Sequence, residues 1–137
     1  MSGRIDALRV VSLWVEKAEH DLANATYMMT MPEGCPYDTV CFHAQQCVEK
    51  YVKALLTARQ IEFPKIHDLT ELVSLLPEDM GFHAQLADMS LLNRYAVEAR
   101  YPGEWEPIAR TEAQDAVSVA QGMRKAVRAH LPQELDA

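Results

Sequence analysis

The sequence predicts an all-α fold, a bundle of four long helices and one short one in up-and-down order. Three observations predict it. Apolar residues recur at helical spacing in several long segments; proline and glycine cluster between those segments; and no segment shows the period-two alternation of a strand. The 137 residues suit one domain, 1–137, long enough to bury a core but short for two.

The first helix is expected from about Asp6 to Thr30, where Leu8, Val11, Val15, Ala18, Leu22 and Ala25 form one apolar stripe. The run Met31-Pro32-Glu33-Gly34-Cys35-Pro36 breaks it, since its prolines and glycine do not continue a helix. A second helix follows from about Tyr37 to Arg59. Cys41, Ala44, Val48, Tyr51 and Leu55 make its apolar stripe, and His43, Gln46, Lys50 and Lys53 make a polar one. Gln60 to Ile66 reads as a loop. Asp68 then has the chemistry of an N-cap, with Glu71 three residues on in the position of a capping box, and Leu72, Val73, Leu75 and Leu76 form a short helix stopped by Pro77. A fourth helix is expected over Phe82 to Arg100, because Pro102 disfavours helical geometry at Tyr101. Gly103 to Pro107 connects to a last helix starting near Ile108, with Ala113, Ala116, Val117, Ala120, Met123 and Val127 on its buried face, closing near Leu131-Pro132. Residues 132–137 read as a frayed tail.

Composition narrows the function classes. The net charge of −7 opposes unspecific attraction to nucleic acid or anionic membranes. No apolar run approaches the roughly 20 residues of a membrane span, and the N-terminus lacks the apolar core of a signal peptide. Cys35, Cys41 and Cys47 are an odd set, which reads as free thiols in a reducing cytoplasm. His43 and Cys47 stand four apart on one helix face, the spacing of two metal ligands, but nothing supplies further ligands and no metal is predicted. The half-buried histidine and small apolar thiol are read as packing, as are Trp14, Trp105, Met28, Met29, Met89 and Met123.

Three stretches carry a resemblance: Phe42-His43-Ala44-Gln45-Gln46-Cys47-Val48-Glu49-Lys50 with Lys53-Ala54-Leu55-Leu56; His67-Asp68-Leu69; and Ala99-Arg100-Tyr101-Pro102. In this order and spacing the chain resembles the HEPN family (higher eukaryotes and prokaryotes nucleotide-binding domain) from Trp14 to the last helix. The resemblance implies a helical bundle that commonly pairs as a homodimer. Many members are encoded beside a small nucleotidyltransferase and act with it as a two-component, toxin–antitoxin system. One branch consists of metal-independent ribonucleases, marked by an Arg, usually a polar residue after it, and a His four to six residues further on. Here neither Arg94 nor Arg100 is followed by such a His. Only Arg124 and His130 fit by count, and a six-residue step turns the two side chains about 120° apart on a helix. The chain therefore resembles a minimal stand-alone type without a well-placed ribonuclease motif.

The reading that results is a non-catalytic protein that binds a nucleotide, ATP or another, and a partner nucleotidyltransferase, and needs no cofactor. Lys50 and Lys53 would hold a phosphate as point charges, and Gln46 would hydrogen-bond a base or ribose. Arg100 would take a phosphate or carboxylate through its fork, Tyr101 would stack or pack at a dimer seam, and Arg94 is a further candidate. The alternatives stay open: a solvated helix face for Gln46, Glu49, Lys50 and Lys53, with Glu49 and Lys53 as an i, i+4 pair, and a dipole-complementing role for Arg100. His67 reads as local packing or hydrogen bonding at the helix entrance. The rival reading is a ribonuclease toxin acting on RNA, with His130 as general acid or base and Arg124 or Arg100 stabilising the phosphate.

Overall fold

A computed structural model describes residues 2–96 and 106–136 of the chain. Five α-helices account for the fold: α1 (Ser2–Met28), α2 (Tyr37–Ala58), α3 (Leu69–Ser74), α4 (Leu86–Asn93) and α5 (Arg110–Arg128). There is no strand among the described residues. Short 3₁₀ turns at Glu78–Met80 and Phe82–Gln85 lead into α4, and another forms at Gln133–Asp136.

The helix α2 is the centre of the bundle. Thirteen of its 22 residues are buried, more than one amphipathic face provides, so it is packed on several sides. The α1 helix lies along one side of it, α5 along another, and α3 and α4 close the rest. The helix faces that meet carry small side chains. Ala18 and Ala25 of α1, Ala44 of α2 and Ala113 and Ala120 of α5 are fully buried, which lets helix axes approach closely. Tyr51, Leu55, Leu56, Leu69, Leu72, Phe82, Met89 and Leu92 fill the space between. The expected core methionines divide: Met89 and Met123 are buried, and Met28 and Met29 pack against the core from its edge.

The ends of α2 and α3 show how local chemistry sets the elements. At the end of α2, Gln60 takes a left-handed conformation (φ 57°). The Ile61 N–H then bonds the Leu56 carbonyl at 2.9 Å and the Gln60 N–H bonds Thr57 at 3.0 Å, which is a Schellman closure. Ile61, just beyond it, packs on the core. Asp68 caps α3 as expected, its side chain accepting from the N–H groups of Thr70 and Glu71.

Two boundaries differ from expectation. The fourth helix does not start at Phe82 as an α-helix, nor does it continue regularly to residue 96. It opens as a 3₁₀ turn, and after Asn93 the N–H groups of Arg94, Tyr95 and Ala96 bond carbonyls only three residues back. The cause lies in side chains with partners elsewhere. Asn93 is drawn to α3, where its Oδ1 accepts from the Leu69 N–H at 2.7 Å, and Tyr95 turns inward so that its hydroxyl donates to Glu112 of α5. Ala99, Arg100, Tyr101, Pro102 and Trp105 lie outside the described residues. The tail read as frayed instead makes the turn Gln133–Asp136, next to Leu131, which packs on the core.

Candidate functional site

The polar stripe of α2 is not a solvated face. Its residues divide into two carboxylate-centred clusters, one toward α1 and one toward the α2–α3 loop. In the first, Asp21 of α1 is 6% exposed and lies between Ala18 and Ala25 on the buried face. One of its oxygens accepts from Nδ1 of His43 at 2.8 Å and the other from Nζ of Lys50 at 2.5 Å. In the second, Glu49 is 3% exposed and accepts from Nζ of Lys53 at 2.9 Å. Nδ1 of His67 lies 3.0 Å from both its oxygens, and Gln45 Nε2 reaches one of them at 3.3 Å. Gln46 extends this second cluster, donating to Gln45 Oε1 at 2.7 Å.

The environment of Lys53 supplies partners for an ammonium inside the bundle. Besides Glu49, it lies 5.5 Å above the Trp14 ring and 5.9 Å above the Phe63 ring, so two π faces and a carboxylate replace its water. The consequence for ligand binding is direct. Lys50 and Lys53 are each neutralised by an internal carboxylate, and neither presents a bare charge to solvent.

A third network ties α1, α2 and α5. Arg124 forks onto Glu19 at 2.8 and 2.9 Å, Tyr51 donates to Glu19 at 2.7 Å, and Arg128 donates to the Tyr51 hydroxyl at 3.1 Å. The Arg124 guanidinium holds the Glu19 carboxyl below its ordinary range, with help from Tyr51. His130, beyond the end of α5, instead packs its ring against Phe82, centroids 5.5 Å apart. The two residues that fit the ribonuclease count therefore face different neighbours. Arg94 is exposed, with its guanidinium 3.8 Å from Glu112 and above the Tyr95 ring.

Cys47 is buried, and burial pushes its thiol up to about 12, so it is neither a nucleophile nor a thiolate ligand near neutral pH. His43, four residues before it on the same helix, is engaged by Asp21. Among the described residues no group of three His, Cys, Asp or Glu side chains is arranged to hold a metal ion. No described helix is long and apolar enough to cross a membrane.

An open cleft of about 450 Å³ lies beside the second cluster, between the α2–α3 loop and the end of α4. Lys65, Ile66, His67, Asp68, Glu71, Asn93 and Ala96 line it. Asn93 is held by α3, since its Nδ2 donates to Asp68 Oδ1 at 2.9 Å while its Oδ1 accepts from Leu69. Hydrogen bonds from the Thr70 hydroxyl and from Asn93 keep the Asp68 carboxyl below its usual range.

A HEPN domain model matches residues 11–130, nearly the whole bundle. The chain belongs to the HEPN family. Among solved structures, the HEPN chain is similar to the Thermus thermophilus protein TT1696, at 29% identity and a TM-score of 0.76, covering 88% of this chain and 98% of that one. It is also similar to ST0689, an archaeal HEPN homologue, at 28% identity and a TM-score of 0.69, covering 89% and 98%. No curated protein matches.

Of the expected site residues, Gln46 and Lys53 belong to the Glu49 cluster and Lys50 to the Asp21 cluster, Arg94 lies apart at the end of α4, and Arg100 and Tyr101 lie outside the described residues. Sequence reasoning missed Asp21, Glu49 as a buried anchor, and His67 as part of the cleft. For Asp21 a signal existed: an acid three residues after Ala18 and four before Ala25 falls on the apolar stripe of α1. For His67 none did, because its partner Glu49 is 18 residues away on another element.

Proposed function

We propose that this HEPN protein acts by binding and not by RNA cleavage, as a homodimer that engages a small nucleotidyltransferase in a two-component system and takes a nucleotide in the cleft beside His67. The observation that carries the non-catalytic part is the engagement of Arg124 by Glu19 while His130 packs on Phe82. A guanidinium already held bidentately by a carboxylate has to break that pair before it stabilises a phosphate.

Association with a second protein is supported by apolar side chains left on the surface of α1, where Val10, Leu13 and Tyr27 are exposed. The nucleotide reading moves away from Lys50 and Lys53, whose charges are satisfied internally, to the cleft whose rim carries Lys65.

Titration calorimetry with AMP and ATP tests the nucleotide reading, with binding expected for AMP; no heat at millimolar ligand rejects it. Sedimentation across a range of concentrations is expected to give the dimer mass. Incubation with RNA in a chelator is expected to leave it intact. Cleavage that disappears in His130→Ala would establish the ribonuclease reading instead.

A further inference from the structure

We infer that His67 is an oriented hydrogen-bond acceptor in the cleft, with Glu49 as its positioning residue, and that it reads a hydroxyl of a sugar phosphate carrying a single phosphate group. The inference rests on the nucleotide reading above and specifies which nucleotide and which contact.

The orientation follows from donor and acceptor chemistry. The Glu49 carboxylate accepts from Lys53, and Nδ1 of His67, at 3.0 Å from both its oxygens, is the donor to it and carries the proton. In the neutral ring that leaves Nε2 with a lone pair. The His67 side chain is 59% exposed and lines the cleft, whereas the Glu49 side chain beneath it is 4% exposed. The backbone is fixed as well, since the fully buried Gln45 donates to the His67 carbonyl at 3.2 Å. Capping of α3 requires none of this, because Asp68 does it. A buried carboxylate aligning a solvent-facing imidazole is instead the arrangement that fixes a tautomer.

The ligand class follows from the rest of the lining. Among the described residues that line the cleft, Lys65 is the one lysine or arginine, and it makes no ion pair with a described residue. It matches one phosphate. Asp68 and Glu71 stand on the same wall, and their charge opposes a second and third phosphate. Ile66 and Ala96 give the carbon skeleton an apolar surface. A ribonucleoside monophosphate therefore fits better than a triphosphate, with His67 accepting from a ribose hydroxyl.

The full chain decides this in two measurements. Long-range ¹⁵N–¹H correlation of the imidazole rings, at a pH where they are neutral, is expected to show His67 protonated at Nδ1; protonation at Nε2 overturns the inference with or without ligand. Calorimetry then compares AMP with its 2′-deoxy and 3′-deoxy analogues and with ATP. Removing the hydroxyl that is read should weaken binding about tenfold, and ATP should bind no more tightly than AMP. His67→Asn keeps a donor for Glu49 but has no group at Nε2, so it should fold normally and lose the discrimination between AMP and the deoxy analogue. AMP binding equally with and without its hydroxyls overturns this inference and leaves the nucleotide reading standing. No nucleotide binding at all removes both. Should His67→Asn fail to fold, the tautomer and the deoxy comparison on the native chain still give the answer.

Discussion

At the scale of single residues, the notable side chain is Lys53, an ammonium 7% exposed that shares its site with a carboxylate 4% exposed. An exposed i, i+4 Glu–Lys pair on a helix contributes only about 0.2–0.5 kcal/mol. Burial changes which effect wins: removing one partner strands the other charge in the interior, at a cost of about 3–5 kcal/mol, while removing both leaves no unpaired charge. Glu49→Gln and Lys53→Met should each lower stability by that order, a large part of the 5–15 kcal/mol typical of a domain. The double variant should be more stable than the sum of the two losses allows. Urea denaturation of the four proteins measures the coupling, and strictly additive losses would show that the two charges do not sense each other. Lys53→Met keeps an unbranched side chain of similar length and removes the ammonium that lies over Trp14 and Phe63, so lost volume is not the confounding effect.

At the scale of elements, the end of α2 carries an avoidable strain. Gln60 occupies the left-handed region without being glycine, which costs roughly 1–2 kcal/mol for an L side chain. The Schellman closure and the burial of Ile61 require that geometry, so the strain persists. Gln60→Gly removes it but gives the unfolded chain more freedom, about 0.5–1 kcal/mol. A net gain of about 0.5–1 kcal/mol is expected, read as a rise in thermal midpoint, and a fall would mean that the Gln60 side chain makes contacts worth more than the strain. The same helix end shows what the sequence makes legible. Helices α1, α2, α3 and α5 were readable because apolar periodicity and caps such as Asp68 are local signals. The shortening of α4 was not, because Asn93 and Tyr95 are pulled out of helical continuation by Leu69 and Glu112, partners 24 and 17 residues away. The candidate site was half legible for the same reason. The stripe Gln46, Lys50 and Lys53 is periodic on its own helix, whereas its meaning depends on Asp21, Trp14 and His67 from other elements.

For the whole molecule, the joint between α1, α2 and α5 makes stability sensitive to alkaline pH. Tyr51 sits at that joint, donating to Glu19 and accepting from Arg128. Burial, and then the hydrogen bond to Glu19, raises its phenol from the ordinary 10.0 to about 12. Below pH 10 the phenol holds its proton in both the folded and unfolded chain, and its contribution is complete and constant. Between about 10 and 12 the unfolded chain releases the proton while the fold retains it, so the unfolded state binds fewer protons and stability falls as pH rises. Cys47, raised by burial from 9.0 to about 12, adds to the same decline from a somewhat lower pH. Tyr51→Phe removes the titrating group and the hydrogen bond together. At neutral pH that variant should be less stable by about 1 kcal/mol. Its stability should fall less steeply above pH 10, so the two denaturation curves draw together by pH 12. Curves that stay parallel across that range would mean that the phenol loses its proton equally easily in the fold, and that the joint of the three helices is held by Glu19 and Arg124 alone.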